Sequence, residues 1–359
     1  MTRQLLEGSE AIARAAIGAG CRFFAGYPMT PFTELLEHFA RGLPESGGVC
    51  INAESELEAV GMAWGAVATG ARAATGSTGQ GLSLMQESLS ELTRAELPLV
   101  VFNMARGQAD YFQATRGGGH GDYRHIVLAP IDVTEAVTLT ALAFDLAERW
   151  RNPVLIYGDY LLAHTYESVS LDAPAAFSRP TPEWAVDGTR GGSGDSRNVN
   201  PIGMRKGVKG IEPEPFWKRL QAKHDEIERS EPRWEVDGAE DADLLVVAFG
   251  TLARFARHAV RALCAEGRRV RLFRPITLWP YPGEALARAA EGVGRVAVLE
   301  QNGGQMIDDV RLAILGAAPV VSIGGISSDE AGFGVGPIFD SELVRERILG
   351  ALEEREDSQ

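Results

Sequence analysis

Residues 23–31, Phe-Phe-Ala-Gly-Tyr-Pro-Met-Thr-Pro, place an apolar strand, a turn and a helix start end to end. The apolar run predicts a buried strand ending at Gly26. Thr30 followed by Pro31 has the form of an N-cap with proline in the first helical position. About twenty-five residues later the arrangement recurs, as Val49-Cys50-Ile51-Asn52-Ala53 runs into Glu54-Ser55-Glu56-Leu57-Glu58 and a helix of small residues. Polar junctions of this kind, at the carboxyl ends of strands, are where open α/β sheets hold their ligands.

The alternation extends on both sides. Apolar runs at 21–26, 49–53, 73–77, 97–104, 126–129 and 154–157 are separated by helical patterns at 9–19, 31–42, 56–69, 82–95 and 133–150. Strand and helix in strict alternation predict a doubly wound parallel sheet, here over residues 1–172. Residues 173–240 change character, with proline, glycine and charge dominating and the loosest point at Gly191-Gly192-Ser193-Gly194-Asp195. This reads as a linker or interface segment with one short helix near 215–229. Strands at 244–249, 270–273, 296–299 and 320–323, with helices at 252–266, 283–290 and 306–315, then predict a smaller second α/β domain over 241–352. The polar tail 353–359 reads as a frayed end.

Composition narrows the function. A chain of 359 residues is long enough for two cores of its own. Its formal charge of −14 has no basic stripe to offset it, which argues against nucleic acid and anionic membrane as partners. No run approaches the ~20 apolar residues of a membrane helix. The start Met-Thr-Arg-Gln lacks the apolar core of a secretory signal. Cys21, Cys50 and Cys264 are scattered without C-x-x-C spacing, so this chain offers neither an iron–sulfur nor a zinc site. Three such cysteines fit a reducing cytoplasm, and cytoplasmic localisation is the expectation.

The residues that could carry chemistry cluster at the junctions. Ser55-Glu56-Leu57-Glu58 is a capping box, with Ser55 at the N-cap, Glu58 reaching back and Glu56 in the first helical position. On spacing alone Glu56 either complements the helix dipole or does chemistry there. Arg106 follows the apolar strand 97–104, where an arginine either pairs with an acid or grips an anion. Gly76-Ser77-Thr78-Gly79-Gln80-Gly81 opens the backbone ahead of a helix, either as a tight turn or as a cradle. It lacks the Gly-Lys-Ser/Thr ending of a nucleoside-triphosphate loop. The run Arg116-Gly117-Gly118-Gly119-His120-Gly121-Asp122 is glycine-dense and too poor in ligands for a metal; it reads as a mobile loop near the substrate entrance or a subunit interface. Trp279 and Tyr281 stand between prolines and should pack internally or against a partner.

These stretches together resemble the α-subunit of the 2-oxoacid:ferredoxin (acceptor) oxidoreductases. The resemblance rests on Gly8-Ser9-Glu10-Ala11-Ile12-Ala13, the Gly26-Tyr27-Pro28-Met29-Thr30-Pro31 turn, Glu54-Ser55-Glu56, Gly76 to Gly81, Ala109 to Asp122 and Arg274-Pro275-Ile276-Thr277-Leu278-Trp279-Pro280. Ala109-Asp110-Tyr111-Phe112-Gln113-Ala114-Thr115 is most similar to the branched-chain (3-methyl-2-oxobutanoate) members. The fold it implies is a thiamine-diphosphate-binding pyrimidine domain followed by a smaller domain like the C-terminal domain of transketolase.

The resemblance also implies roles. Glu56 would be the thiamine-activating glutamate, sharing a proton with the aminopyrimidine so that the thiazolium carbon loses its own. Thr30 and Arg106 would seat the substrate carboxylate, and Tyr27, Pro28, Gly79 and Gln80 would line the cofactor. No Gly-Asp-Gly motif with its downstream Asn is present, so this would be the pyrimidine half of a split site, without a metal-binding residue of its own. A β-subunit would supply Mg²⁺, the diphosphate contacts and a [4Fe-4S] cluster; a γ-subunit, coenzyme A and ferredoxin or flavodoxin complete the expected set. One departure stands out: the family's Gly/Pro-rich loop after Arg106-Gly107 is missing, and Gln108 follows at once. Two rivals remain at this stage, a pyrimidine-domain subunit of an NAD-linked 2-oxoacid dehydrogenase or transketolase-like complex, and a noncatalytic scaffold subunit.

Overall fold

The computed structural model of the chain describes residues 3–171, 180–186, 213–325 and 340–356. The Gly191–Asp195 cluster, much of the proposed linker and the last three residues of the tail lie outside these.

The first half runs β1 (Arg3–Glu7), α1 (Gly8–Gly18), β2 (Phe23–Gly26), α2 (Thr33–Glu45), β3 (Val49–Asn52), α3 (Glu56–Ala68), β4 (Ala73–Ser77), α4 (Gly79–Arg94), β5 (Leu99–Ala105), α5 (Tyr111–Thr115), β6 (Ile126–Leu128), α6 (Val133–Trp150), β7 (Val154–Asp159), α7 (Tyr160–His164) and β8 (Tyr166–Ser170). The second runs α8 (Pro213–Ser230), β9 (Trp234–Gly238), β10 (Leu244–Val247), α9 (Gly250–Ala265), β11 (Val270–Pro275), β12 (Thr277–Trp279), α10 (Gly283–Ala289), β13 (Arg295–Val298), α11 (Met306–Ile314), β14 (Val320–Ser322) and α12 (Ser341–Glu356).

The predicted α/β architecture is present. The larger sheet has the order β12-β6-β7-β5-β4-β2-β3, parallel from β6 to β3. Its central strands are mostly apolar and covered on both faces, with every residue of β4 and β5 buried, while the edge strand β3 is partly exposed. From β2 the chain steps to β3 on one side, and from β4 it steps to β5 on the other. Right-handed crossovers then put α2 with α1 and α6 on one face and α3 with α4 on the opposite face. The gap between the carboxyl ends of β2 and β4 is therefore the topological switch point of the sheet.

The second sheet has the order β14-β13-β10-β11-β9, with β9 antiparallel at its edge. Sequence patterning missed β9, as well as the antiparallel ribbon of β1 with β8, because each pairing is settled by a distant strand rather than by local periodicity. It also missed that β12 leaves the second half to pair antiparallel with β6 of the larger sheet. One apolar core runs through both halves: Phe249 at the end of β10 packs its ring 5.5 Å from Tyr111 and 5.6 Å from Tyr157.

Polar groups tie the halves together as well. Arg274 on β11 is fully buried and donates from Nη1 and Nη2 to the carboxylate of Glu135 on α6, at 2.8 and 2.7 Å, while Nε donates to Glu235 at 3.0 Å. Helix α8 lies along the first half, where Lys223 and Arg219 pair with Glu96. Its His224 packs edge-on to Trp279, ring centroids 6.2 Å apart. Among the described residues no helix is long and apolar enough to cross a membrane.

Two predictions test this packing. Removing one partner of a buried charge pair leaves the other uncompensated, so Arg274→Met should cost about 3 kcal/mol in urea unfolding. Arg254→Met, at the half-exposed pair with Glu167, should cost under about 1 kcal/mol; equal losses would contradict the assignment. Burial also holds His125 and His224 neutral, each lowered from 6.5 to about 4. Between those values the unfolded chain binds more protons than the native one, so stability should fall as pH drops, by about 1.4 kcal/mol per histidine per pH unit. Urea unfolding at about pH 6 and pH 5, inside that window, should show close to that slope, and His125→Gln and His224→Gln should each remove a share of it. A slope unchanged in both variants would refute the cause.

Candidate active site

Three strand ends converge on the switch point: the turn after Gly26, the Ser77-Thr78 step after β4, and Arg106 after β5. Helix α3 begins beside them. Ser55 caps it, with Oγ accepting the Glu58 N–H at 3.4 Å, while the Glu58 carboxylate accepts the Glu54 N–H at 3.0 Å. The capping box is thus formed, reaching one residue further back than the sequence pattern specifies.

Glu56 is the first helical residue and is buried, at 3% exposure, whereas Glu54 and Glu58 are exposed. Its Oε1 accepts a hydrogen bond from Ser77 Oγ at 2.9 Å, across the end of the sheet. The pair fits because Gly81 has no side chain: a Cβ there would stand 2.4 Å from Glu56 Oε1 and 2.0 Å from Ser77 Oγ. The partner Ser77 was not singled out by sequence; a serine closing an apolar strand was the only signal.

Thr30 and Arg106 are brought together. Arg106 Nε donates to the Thr30 carbonyl at 3.2 Å, and among the described residues its two Nη groups make no hydrogen bond. The planar fork is thereby left open to a carboxylate. Thr30 does not cap α2, contrary to the sequence reading. The Phe32 N–H bonds to the Met29 carbonyl at 2.6 Å in a tight turn. That turn carries Phe32 into the core 6.1 Å from the Phe24 ring, so the helix starts only at Thr33 and leaves Thr30 exposed. Tyr27 is half-buried and Pro28 exposed in the same turn.

The Gly76–Gly81 segment is a direct strand-to-helix junction. Gly76 and Ser77 end β4, Thr78 is the N-cap, and Gly79-Gln80-Gly81 form the first turn of α4, three residues earlier than predicted. Glycine lowers helix propensity and hides such a start from pattern reading. At Gly79 a Cβ would stand 2.3 Å from Asp110 Oδ1. Asp110 in turn accepts from Gln113 Nε2 at 2.8 Å and Asn103 Nδ2 at 3.2 Å, and burial raises its pKa above the ordinary carboxylate value. Gln80, in the same turn, is exposed.

Part of the Arg116–Asp122 run, expected to be a mobile loop, is tied down, while His120, Gly121 and Asp122 stay exposed. The N–H groups of Gly118 and Gly119 donate to Tyr123 Oη at 3.0 and 2.9 Å, and that hydroxyl donates to Gln86 Oε1 at 3.0 Å. Around the site the surface is apolar and open: Leu57 and Met62 on α3 and Leu84 on α4 are exposed, and nothing lies within 4 Å of the Cβ positions of Gly61 and Gly65.

Comparison with known proteins places this arrangement. Residues 14–187 match the family described as pyruvate flavodoxin/ferredoxin oxidoreductase, thiamine diphosphate-binding, and residues 242–331 match pyruvate:ferredoxin oxidoreductase core domain II. Ketoisovalerate oxidoreductase subunit VorB of Methanothermobacter marburgensis is 40% identical over 323 residues, covering 87% of this chain and 90% of that protein. 2-Oxoglutarate synthase subunit KorA of Methanothermobacter thermautotrophicus is 35% identical over 352 residues, covering 88% and 92%. The solved 2-oxoglutarate:ferredoxin oxidoreductase of Magnetococcus marinus superposes with a TM-score of 0.82 at 26% identity; the match covers 98% of this chain and 65% of that one. A split-gene transketolase, at 18% identity and a TM-score of 0.58, shares the fold alone. The chain belongs to the 2-oxoacid:ferredoxin oxidoreductase family, as a subunit that carries its thiamine diphosphate-binding domain.

Proposed function

We propose that this chain is the α-subunit that activates thiamine in a coenzyme A-dependent 2-oxoacid:ferredoxin oxidoreductase, and that its substrate is 3-methyl-2-oxobutanoate or a close relative. The observation that carries the reading is the enclosed carboxylate of Glu56, oriented by Ser77, at the switch point where Thr30 and Arg106 also meet. The overall reaction converts 2-oxoacid, coenzyme A and two oxidised ferredoxins into acyl-CoA, CO₂, two reduced ferredoxins and one proton.

Bound thiamine diphosphate would supply the nucleophilic thiazolium carbon and the electron sink. The residues here fit its pyrimidine end: a buried carboxyl group on one side, with small residues of α3 leaving room on the other. Glu56 holds and shares a proton with the aminopyrimidine, and Ser77 keeps that carboxyl aimed. Arg106 grips the substrate carboxylate through its open fork, with Thr30 beside it. Tyr27, Pro28, Gly79 and Gln80 shape the wall on the cofactor side.

A β-subunit covers the exposed apolar residues of α3 and α4 and brings Mg²⁺, the diphosphate contacts and the [4Fe-4S] cluster. A γ-subunit completes the assembly in the cytoplasm. The higher identity to ketoisovalerate enzymes than to 2-oxoglutarate synthases favours the branched-chain substrate. The transketolase likeness stops at the fold, which weakens that rival, and the enclosed Glu56 is not what a decayed scaffold requires to keep.

The complex co-purified anaerobically with its partner subunits should reduce a viologen dye in a coenzyme A-dependent reaction, fastest with 3-methyl-2-oxobutanoate. Glu56→Gln should lower kcat by about 10²-fold or more, the scale of losing a general acid–base group. A faster rate with 2-oxoglutarate or pyruvate would reassign the substrate. Full activity in Glu56→Gln would remove Glu56 from the mechanism, and a loaded complex inert towards all three acids would favour the scaffold.

A further inference from the structure

We infer that Gln108 is a positioning residue for Arg106, and that through it the second half of the chain sets the affinity of the site for the substrate carboxylate. The inference rests on the reading of Arg106 given above.

Only Gly107 separates the two residues. Gln108 is buried at 2% exposure and all four of its hydrogen-bonding groups are engaged by the second half. Its side-chain Nε2 donates to the Phe249 carbonyl at 2.9 Å, and its Oε1 accepts the Gln301 N–H at 3.0 Å. Its backbone carbonyl accepts from Asn302 Nδ2 at 2.9 Å, and its N–H donates to the Gln301 carbonyl at 3.3 Å. Phe249 and Gln301 lie just beyond the carboxyl ends of β10 and β13. The one amide side chain therefore bridges two strands of the second sheet.

On its other side Arg106 follows Ala105, which is fixed in β5 opposite Asp159 of β7. Gly107 is held too, its carbonyl accepting from Tyr157 Oη at 3.2 Å. The backbone of Arg106 is thus clamped on both sides within two residues, and its direction depends on where the second sheet holds Gln108. Adhesion between the halves does not need this residue. Tyr111 Oη donates to Asp309 at 2.6 Å, Gln305 bonds both the Phe112 N–H and the Ala109 carbonyl at 2.8 Å, and Arg274 bonds Glu135. Gln108 is distinguished from these by lying next to the guanidinium's own stretch of chain.

The substrate carboxylate keeps its charge through binding and addition and loses it only as its carbon leaves as CO₂, so misaiming its arginine should weaken substrate binding and raise KM without lowering kcat. In the assembled complex, Gln108→Ala should raise KM for 3-methyl-2-oxobutanoate about tenfold, with kcat and the KM for coenzyme A changed less than about twofold. Gln108→Glu fills the same volume but sets a carboxylate against the Phe249 carbonyl, and should shift the same constant in the same direction. In an Arg106→Ala background, Gln108→Ala should add nothing, because it acts through the side chain already removed. Additive effects in the double variant, or a loss of kcat and of thermal midpoint that leaves KM for the 2-oxoacid unchanged, would overturn the proposal and leave Gln108 a domain fastener. If Arg106→Ala alone leaves that KM unchanged, the assignment of Arg106 has failed, and the inference falls with it.

Discussion

A carboxylate buried at the start of a helix and held by one hydroxyl is the interaction around which the site is arranged. Glu56 is withdrawn from water while its two acidic neighbours are not, and Ser77 gives its Oε1 a partner. Both conditions depend on backbone passing close by: Gly81 must lack a side chain for α4 to start where it does. The helix N-terminus adds a favourable field for negative charge, and among the described residues no cation pairs with the carboxylate. A group in that condition can share a proton with a ligand ring nitrogen, which is the task the proposed mechanism gives it.

The second half of the chain does more than enlarge the core. Its sheet meets the larger one through Phe249 and through β12, and its strand ends receive the segment from Gln108 to Arg116 that follows the open-forked Arg106. The switch point of the first sheet and the strand ends of the second therefore face a common segment. In the proposed function this lets one half hold the cofactor ring and the other fix the substrate's anchor, a division that makes precise aim of Arg106 a property of both.

Much of this was legible in the sequence where the signal is local. The buried strands are mostly apolar runs, the Ser55–Glu58 capping box announces α3, and the Gly-Tyr-Pro-Met-Thr-Pro turn ends β2 as expected. The failures have physical causes. Thr30 and Pro31 have the composition of a helix start, but the pull of Phe32 into the core moves that start to Thr33. Gly79 and Gly81 are poor helix formers, so the first turn of α4 went unseen until its packing against Asp110 and Glu56 explained it. The bonds made by Gln108 span nearly two hundred positions, and no short-range pattern carries them. Ser77 and Asp110 were invisible for the same reason, since their partners come from other strands and helices.

The chain is one subunit of its family's enzymes, and its site is open on the side where α3 and α4 expose Leu57, Met62 and Leu84. What the account claims most centrally is that Glu56 meets the pyrimidine of thiamine diphosphate there. The most direct test is a structure of the complex with its partner subunits and thiamine diphosphate bound. The account predicts a Glu56 carboxylate oxygen within hydrogen-bonding distance, about 2.6–3.2 Å, of the aminopyrimidine ring nitrogen. A cofactor seated with that nitrogen against another acid, or with Glu56 still facing only Ser77, would contradict it.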